Sequence, residues 1–241
     1  MGLCAGSAIT SLASRVPEDW RGWLTGRSAC PACGARLGPA DLVPLASWLA
    51  LRGRCRHCGT RISPLYPLTE AAALLLPALA FLLLPAPQAW LASAIGWWLL
   101  ALALVDLRTM LLPDALTLPL LLAGVLLAAL GPRLSLPAPV AAADSLIGAA
   151  AGFAVFALIA LLYRRLRGRD GLGLGDAKLL AAAGAWLGWQ ALPATVLTAA
   201  VAGLCLAVLA GAHRDPSREV PFGPALALAF WIELLVVLAE A

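Results

Sequence analysis

Long apolar stretches separated by short polar segments make up most of this chain. The segments 70–84, 90–105 and 146–163 carry almost no charge. A helix needs about 20 mostly apolar residues to cross a bilayer core, and fewer when it is tilted or when its end residues reach the interface. The predicted spans are 2–15, 67–84, 89–106, 115–131, 141–163, 177–190, 192–212 and 222–240. The pattern predicts an all-α polytopic membrane protein with about eight transmembrane helices.

Two of the predicted spans are short for a bilayer. We expect the first, 2–15, either to be tilted or to continue upstream in the native chain. A cleaved signal peptide would carry a basic segment ahead of its apolar stretch, and none is present here. The span 177–190 contains Gly184 and Gly188, and these small residues predict close packing on a neighbouring helix.

The charged residues agree with a membrane protein and predict its orientation. The chain is 62% hydrophobic and 12% charged, with a net charge of +4. Its basic residues cluster in short connecting segments, which is the positive-inside signal. With the N-terminus outside, the cytoplasmic segments are 16–66, 107–114, 164–176 and 213–221. No ladder of base-stacking aromatic residues accompanies the arginines, so we expect membrane lipid and no nucleic acid as a partner.

Two CxxC motifs, "CPACG" and "CRHCG", lie in the first cytoplasmic segment. They hold Cys30, Cys33, Cys55 and Cys58, with 21 residues between the two pairs. Two such knuckles bring four thiolates to one tetrahedral ion, and the cytoplasm disfavours disulfides. A thioredoxin-like pair of redox dithiols would need a βαβ setting, which is absent. We therefore expect a structural Zn²⁺ held by the four cysteines, with His57 as a bystander.

Two of the 13 acidic residues lie at the predicted cytoplasmic rim of the membrane. Asp106 ends the run "WWLLALALVD", and Asp176 precedes the run "AKLLAAAGAWLGW", 70 residues later. Acids at the membrane edge are costly, and this makes them functional candidates. Two carboxylates that share one proton can activate a water molecule and protonate a leaving amine.

The acidic residues could instead have purely structural roles. Asp106 and Asp176 could each cap a helix or form an ion pair with Arg108 or Lys178. Asp114 is predicted to cap the fourth span, and Asp144 to cap a helix on the far side. The chain has two histidines and no GxSxG, HExxH or Walker motif. These absences exclude the usual serine hydrolase, zinc metalloprotease and ATPase chemistries.

Five stretches together resemble the prepilin peptidases, which are inner-membrane aspartic proteases of type IV pilus and type II secretion systems. "GSAITSLASRVP" resembles the opening segment of that family, and "CPACG" through "CRHCGTRISPLYPLTE" resembles its cytoplasmic zinc loop. "DLRTMLLPDALTLP" and "GLGLGDAKLLAAAGAWLG" resemble its two catalytic blocks, and "VPFGPALALA" its last block. The resemblance runs nearly from end to end, and the combination is far more specific than a lone GxGD.

The resemblance implies an enzyme with two activities. It would cut the basic leader from prepilins or pseudopilins after a glycine and then N-methylate the new terminus with S-adenosylmethionine. Asp106 and Asp176 match the catalytic aspartates, at a site that faces the cytoplasm from the bacterial inner membrane. The residues Ala8, Ile9 and Thr10 replace a stretch in which the family usually has phenylalanine and asparagine. This departure concerns methylation more than cleavage.

The resemblance and the charge pattern together divide the chain into three predicted parts. They are a short first membrane helix at 1–15, a cytoplasmic four-cysteine zinc loop at 16–66 and a helical membrane protease core at 67–241. Two glycines of the GLGLGD stretch lack Cβ atoms and would let an extended substrate approach Asp176. The candidate supports of the substrate cleft are Gly173, Gly175, Lys178, Pro221, Phe222 and Gly223.

Two other classes of function stay open on the sequence alone. One is an ion- or proton-coupled transporter with rim carboxylates and a zinc-binding regulatory loop. Transporters usually hold such acids near the middle of the bilayer and often contain inverted repeats, and neither feature is found here. The other is a zinc-bearing membrane scaffold without activity.

Overall fold

The computed structural model describes residues 2–15, 29–30, 32–38, 41, 43–134, 136–168, 173–211 and 220–240. These residues form helices and no β-strand apart from two isolated bridges. The α-helices are α1 (Gly2–Arg15), α2 (Ala46–Ala50), α3 (Leu65–Leu83), α4 (Ala86–Thr109), α5 (Asp114–Leu130), α6 (Ala142–Arg167), α7 (Leu174–Leu187), α8 (Leu192–Leu209) and α9 (Gly223–Glu240). The predicted all-α class is confirmed for the part of the chain described.

Six of these helices, α3 to α6, α8 and α9, are long and apolar enough to cross a membrane. The protein is therefore a multi-pass membrane protein. The predicted spans 2–15 and 177–190 correspond to α1 and α7, which have 14 residues each. A helix of that length is about 21 Å long, against a hydrocarbon core of about 30 Å. Each of the eight predicted spans has a helix, and six of those helices have the length of a membrane span.

The chain separates into two compact units, Met1–Leu79 and Ala80–Ala241. In the first unit α1 lies very close to α3. A Cβ atom added at Gly6 would lie 2.6 Å from the Cα atom of Glu70, and one at Gly2 would lie 2.6 Å from the carbonyl oxygen of Ala73. Two glycines four residues apart thus form the face of α1 that meets α3, as in closely packed membrane helices.

In the second unit α7 is the central helix. Ten of its residues are buried, and it packs against α5, α6, α8 and α9. A helix that is apolar on all sides can be surrounded by protein as well as by lipid. This burial explains why a helix too short for a bilayer carries such an uninterrupted apolar run.

The crossing of α6 and α7 depends on glycine. Gly148 and Gly184 approach so closely that a Cβ atom on either would collide with the backbone carbonyl group of the other. The predicted close packing at Gly184 is confirmed. Gly188 also packs closely on α6, since a Cβ atom at Gly148 would lie 2.9 Å from its carbonyl carbon. It ends α7 with a φ of 77°, which residues with a side chain rarely adopt.

Buried side chains of the second unit donate hydrogen bonds to backbone carbonyl groups of neighbouring helices. These bonds satisfy donors that have no access to water, which would otherwise destabilise the bundle. The bonds run from Trp98 Nε1 to Leu116 O (3.1 Å), from Trp186 Nε1 to Leu120 O (2.8 Å), from Trp231 Nε1 to Ala92 O (2.9 Å) and from Ser145 Oγ to Ala185 O (2.7 Å).

The prediction that Asp144 caps a helix is wrong. Ala141 occupies the N-cap position of α6 and no side chain caps that end. Asp144 Oδ1 instead accepts hydrogen bonds from Trp189 Nε1 at 3.1 Å and Gln190 Nε2 at 3.2 Å. The carboxylate therefore connects the start of α6 with the turn that follows α7.

Candidate active site

Asp106 lies in the last turn of α4 and is 5% exposed. Its Oδ2 atom accepts a hydrogen bond of 3.0 Å from the backbone N–H of Gly223. Gly223 is the first residue of α9, so this N–H is one of the donors that a helix start leaves without an intrahelical partner. The partial positive charge at the start of α9 also favours a negative charge on Asp106. The end of α4 and the start of α9 thus meet at this carboxylate.

Position 223 requires glycine because the Asp106 carboxylate occupies the space that a side chain would need. A Cβ atom added here would lie 2.5 Å from Oδ2 and 2.9 Å from Cγ of Asp106. The φ angle of Gly223 is not in the left-handed region, so its backbone would accept other residues. The sequence suggested Gly223 as a support of the substrate cleft, and the structure places it against the acid itself.

Asp176 lies in the first turn of α7, outside the six helices that can span a membrane. Burial and the negative charge of Asp106 raise the pKa of Asp176 to about 6, against a smaller opposite effect of the Gly173 backbone amide. The two carboxyl groups are thus close enough for the charge of one to act on the other. Two elements that are 70 residues apart in sequence bring these acids together.

Lys178 does not pair with either of these acids in the structure. Its Nζ atom forms an ion pair of 2.5 Å with Asp114 Oδ1, and the two side chains are 30% and 58% exposed. The pair joins α7 to the first turn of α5. The prediction that Asp114 caps its helix is wrong, because Pro113 occupies the N-cap position and no side chain caps that end.

The glycines before Asp176 differ in their surroundings. A Cβ atom at Gly175 would lie 2.9 Å from the Cβ atom of Leu112, so packing against the segment between α4 and α5 requires glycine there. A Cβ atom at Gly173 would have as its nearest neighbour Asp176 Oδ2, at an ordinary contact distance of 3.5 Å. Among the described residues, a Cβ atom is therefore tolerated at Gly173 and not at Gly175.

Phe222 joins three elements next to Asp106. Its ring centroid lies 6.2 Å from that of Phe156 on α6. A Cβ atom added at Gly203 on α8 would lie 3.3 Å from the Phe222 ring, so the ring rests on that glycine. Because Phe222 directly precedes Gly223, these ring contacts hold the backbone that donates to Asp106. Pro221, the residue before it, is half-buried.

In the described part of the first unit, the four cysteines form a cluster that could hold a metal ion. The Sγ atoms of Cys30, Cys33, Cys55 and Cys58 all lie within 4.8 Å of one another, and those of Cys30 and Cys58 are 3.9 Å apart. Sulfur atoms on a tetrahedral Zn²⁺, with Zn–S bonds of about 2.3 Å, are about 3.8 Å apart. His57 is exposed and is not a member of the cluster, as predicted.

The two knuckles repeat one local geometry. Gly34 N–H donates to Cys30 O and Gly59 N–H donates to Cys55 O, each at 2.9 Å. The two glycines have φ angles of 68° and 71°, in the left-handed region that favours glycine. A glycine after each CxxC pair thus lets the backbone turn beneath the sulfurs.

The electrostatics of the cluster suit a cation. Hydrogen bonds from the Thr60 hydroxyl and amide lower the pKa of Cys58 to about 6. An amide of Ala35 lowers the pKa of Cys33, but desolvation and the neighbouring cysteines outweigh it and raise that pKa to about 11. Thiolates this close repel one another, and a bound cation would remove that repulsion by displacing the remaining protons.

The structure also gives roles to two acids that the sequence did not single out. Asp41 accepts a hydrogen bond of 3.1 Å from Gly38 N–H and one of 2.8 Å from Arg56 Nε, so it connects the segment after the first knuckle with the second knuckle. Glu70 is buried on α3 and accepts a hydrogen bond of 2.8 Å from the Leu45 backbone N–H at the start of α2. Arg56 and Leu45 are 15 and 25 positions from these acids, so no local pattern could have shown those two contacts.

Comparison with known proteins gives matches along nearly the whole chain. Residues 93–208 match the type IV leader peptidase family, and residues 1–84 match the bacterial Peptidase A24 N-terminal domain. A prepilin leader peptidase/N-methyltransferase of Aeromonas hydrophila is 46% identical over 225 residues, which cover 91% of this chain and 75% of that protein.

Proteins with the same name from two other bacteria are also similar. The one from Burkholderia pseudomallei (strain K96243) is 44% identical over 255 residues, covering 94% of this chain and 80% of the relative. The one from Pseudomonas aeruginosa is 40% identical over 213 residues, covering 86% and 71%. No solved structure matches the chain significantly.

Proposed function

We propose a function for this chain from one premise: it belongs to the type IV leader peptidase family. The chain is a prepilin leader peptidase and N-methyltransferase. It cuts the leader peptide from type IV prepilins or pseudopilins, and it then methylates the new N-terminal amine. S-adenosylmethionine is the methyl donor that the family resemblance implies.

The pair of acids supplies the chemistry of cleavage. Asp106 and Asp176 interact electrostatically, and two neighbouring carboxyl groups of this kind share one proton. The ionised carboxylate takes a proton from a water molecule, which attacks the carbonyl carbon of the scissile bond. The protonated acid donates its proton to the leaving amine. Water is the nucleophile, so no acyl-enzyme forms.

The surroundings of the two acids differ. Asp106 accepts the Gly223 amide hydrogen and lies against the start of α9. A Cβ atom at Gly173 would approach no described atom more closely than Asp176 Oδ2, at 3.5 Å. Because two interacting carboxyl groups titrate as a pair, we infer that Asp106 and Asp176 share one proton and assign neither of them alone as the acid or the base.

The depth of the pair fits the substrate. A prepilin has a basic leader in the cytoplasm and an apolar helix in the bilayer, so its scissile bond lies at the cytoplasmic face of the membrane. Asp106 is in the last turn of a helix that can span the membrane. The clustered basic residues support an inner-membrane location with the site toward the cytoplasm. The transporter alternative has no comparable support.

The four-cysteine cluster fits a structural metal site. We propose that Cys30, Cys33, Cys55 and Cys58 bind Zn²⁺, which would cross-link the two knuckles and complete the fold of the loop. Four protein ligands leave no open position for a reactive water molecule. The metal therefore has no part in the cleavage step.

Cleavage of a purified type IV prepilin by the detergent-solubilised protein tests the function. We expect the wild type to release the leader, and Asp106→Asn and Asp176→Asn each to reduce cleavage to background. Asp114→Asn is the matched control, because that aspartate is exposed and pairs with Lys178 rather than with either acid. Normal cleavage by both active-site variants would refute the aspartic mechanism.

Mass spectrometry of the cleaved pilin tests the second activity. With S-adenosylmethionine present, we expect the new N-terminal residue to gain the mass of one methyl group. A cleaved pilin that keeps an unmodified amine would show that this chain is a peptidase without methyltransferase activity.

A further inference from the structure

A groove on the second unit lies beside the candidate active site. It has a volume of about 400 Å³. One wall is a face of α8, and the other is the segment that leads into α9. The lining residues are Ala200, Gly203, Leu204, Ala207, Val220, Pro221 and Phe222. All of these residues are apolar, so this described lining offers no hydrogen-bonding side chain to a polar ligand.

The groove and Asp106 are linked by two consecutive residues, Phe222 and Gly223. This ring forms part of the groove, and the next residue, Gly223, donates its N–H to Asp106 at 3.0 Å. An extended peptide with its scissile bond at the acids would therefore place the side chains on one side of that bond in the groove.

The groove also borders an exposed surface of α8. The helix that forms its wall, α8, is among the least buried of the membrane-spanning helices, and Leu204 is 67% exposed. For a helix that crosses the bilayer, the exposed surface is in contact with lipid. A ligand that enters here comes from the lipid phase and is itself apolar.

On the basis of the proposed function, we propose that this groove is the subsite for the apolar residues that follow the scissile bond of the prepilin. The described lining residues carry no acidic side chain, so they offer no partner to the basic leader. The apolar segment after the cut lies in the bilayer and matches the lining. The volume of the groove then limits the size of the first apolar side chains of the mature pilin.

Filling the groove tests this assignment. Ala200→Leu and Ala207→Leu each add an isobutyl side chain to a lining position and leave both acids unchanged. A change of one methylene in an apolar pocket alters specificity by about 10- to 200-fold. We expect KM for a purified type IV prepilin to rise at least about tenfold, with a much smaller change in kcat. Ala194→Leu is the matched control, because it makes the same change at an exposed position of α8 outside the groove.

A substrate variant adds a readout that general damage to the protein would not produce. The variant is a prepilin in which the large apolar residues directly after the cleavage site are replaced by alanine. We expect the filled variants and the wild type to cleave this prepilin with similar KM, because the smaller side chains leave room for the added groups. Equal loss on both prepilins would overturn the proposal.

Photo-crosslinking tests the same contact if the filled variants do not fold. A photo-reactive amino acid at Leu204 should crosslink to the prepilin within the apolar segment that follows the scissile bond. The same group at Leu126 on α5, which is exposed but outside the groove, should not. Wild-type cleavage together with unchanged KM in the filled variants, or with no crosslink at Leu204, would overturn the groove assignment alone. Failure of the wild type to cleave any prepilin would instead refute the proposed function.

Discussion

The substitution Gly223→Ala puts a methyl group into space that the Asp106 carboxylate now uses. The added Cβ atom would lie 2.5 Å from Oδ2, far inside the distance of about 3.5 Å at which such atoms attract. The carboxylate must move by at least about 0.5 Å to remove the overlap. The substitution adds no backbone strain, because the φ angle of Gly223 is not in the left-handed region.

The expected loss of activity follows from the hydrogen bond that this movement disrupts. Gly223 N–H donates to Asp106 Oδ2 over 3.0 Å, and a bond to a charged group contributes about 1.5–3 kcal/mol. If that interaction is needed in the transition state, its loss lowers the rate by about 10- to 150-fold. We expect the decrease in kcat, with KM little changed, since the substitution moves a carboxylate that we propose to be catalytic and leaves the groove unfilled.

The measurement is steady-state cleavage of a purified prepilin by the detergent-solubilised variant. The matched control is Gly38→Ala, where the added Cβ atom would lie 3.6 Å from its nearest neighbour, an ordinary contact. That control should cleave like the wild type. A Gly223→Ala enzyme that keeps kcat within about twofold of the wild type would show that the amide does not hold Asp106 in its working position.

Three further predictions concern the proton, the metal and the exposed ion pair. Burial and the charge of Asp106 raise the pKa of Asp176 to about 6. Above that pH the pair loses its shared proton, so kcat/KM for cleavage should fall by up to about tenfold per pH unit. A kcat/KM that stays constant from pH 5 to 9 would contradict this. The substitution Cys30→Ser should strongly reduce the zinc found by elemental analysis of the purified protein, and unchanged zinc would rule out the four-cysteine site. The pair of Lys178 and Asp114 is partly exposed, so Lys178→Met should destabilise the fold by less than about 1 kcal/mol and leave cleavage within about twofold. A tenfold loss of cleavage would instead support the prediction that Lys178 is part of the substrate cleft.

Local features of the fold were predictable from the sequence. The apolar runs correspond to helices because the need to satisfy backbone hydrogen bonds in an apolar environment depends on the run itself. The two cysteine knuckles were also predictable, because each CxxC motif and the glycine after it form one short turn. The role of α7 was not predictable in this way. An apolar run indicates that a helix avoids water, but it does not indicate whether lipid or protein surrounds that helix.

The two acids of the candidate site could be predicted from the sequence, but the residues that surround them could not. The cost of placing a charge at the membrane edge singled out Asp106 and Asp176. The contact between Asp106 and Gly223 joins residues that are 117 positions apart, and it exists only because α4 and α9 pack together. Likewise, Lys178 was expected near the acids, but the packing of α7 against α5 places it beside Asp114.

The sequence by itself determined that this is a membrane protein with a four-cysteine cluster and two acids at a membrane edge. Each of those properties depends on residue type and on neighbours within one turn or one helix. Only the tertiary structure decided what lies against each acid, which glycines provide space, and where an apolar groove lies beside the acids. Those properties depend on how distant helices approach one another, and that approach is set by side-chain volume and buried hydrogen bonds across the whole bundle.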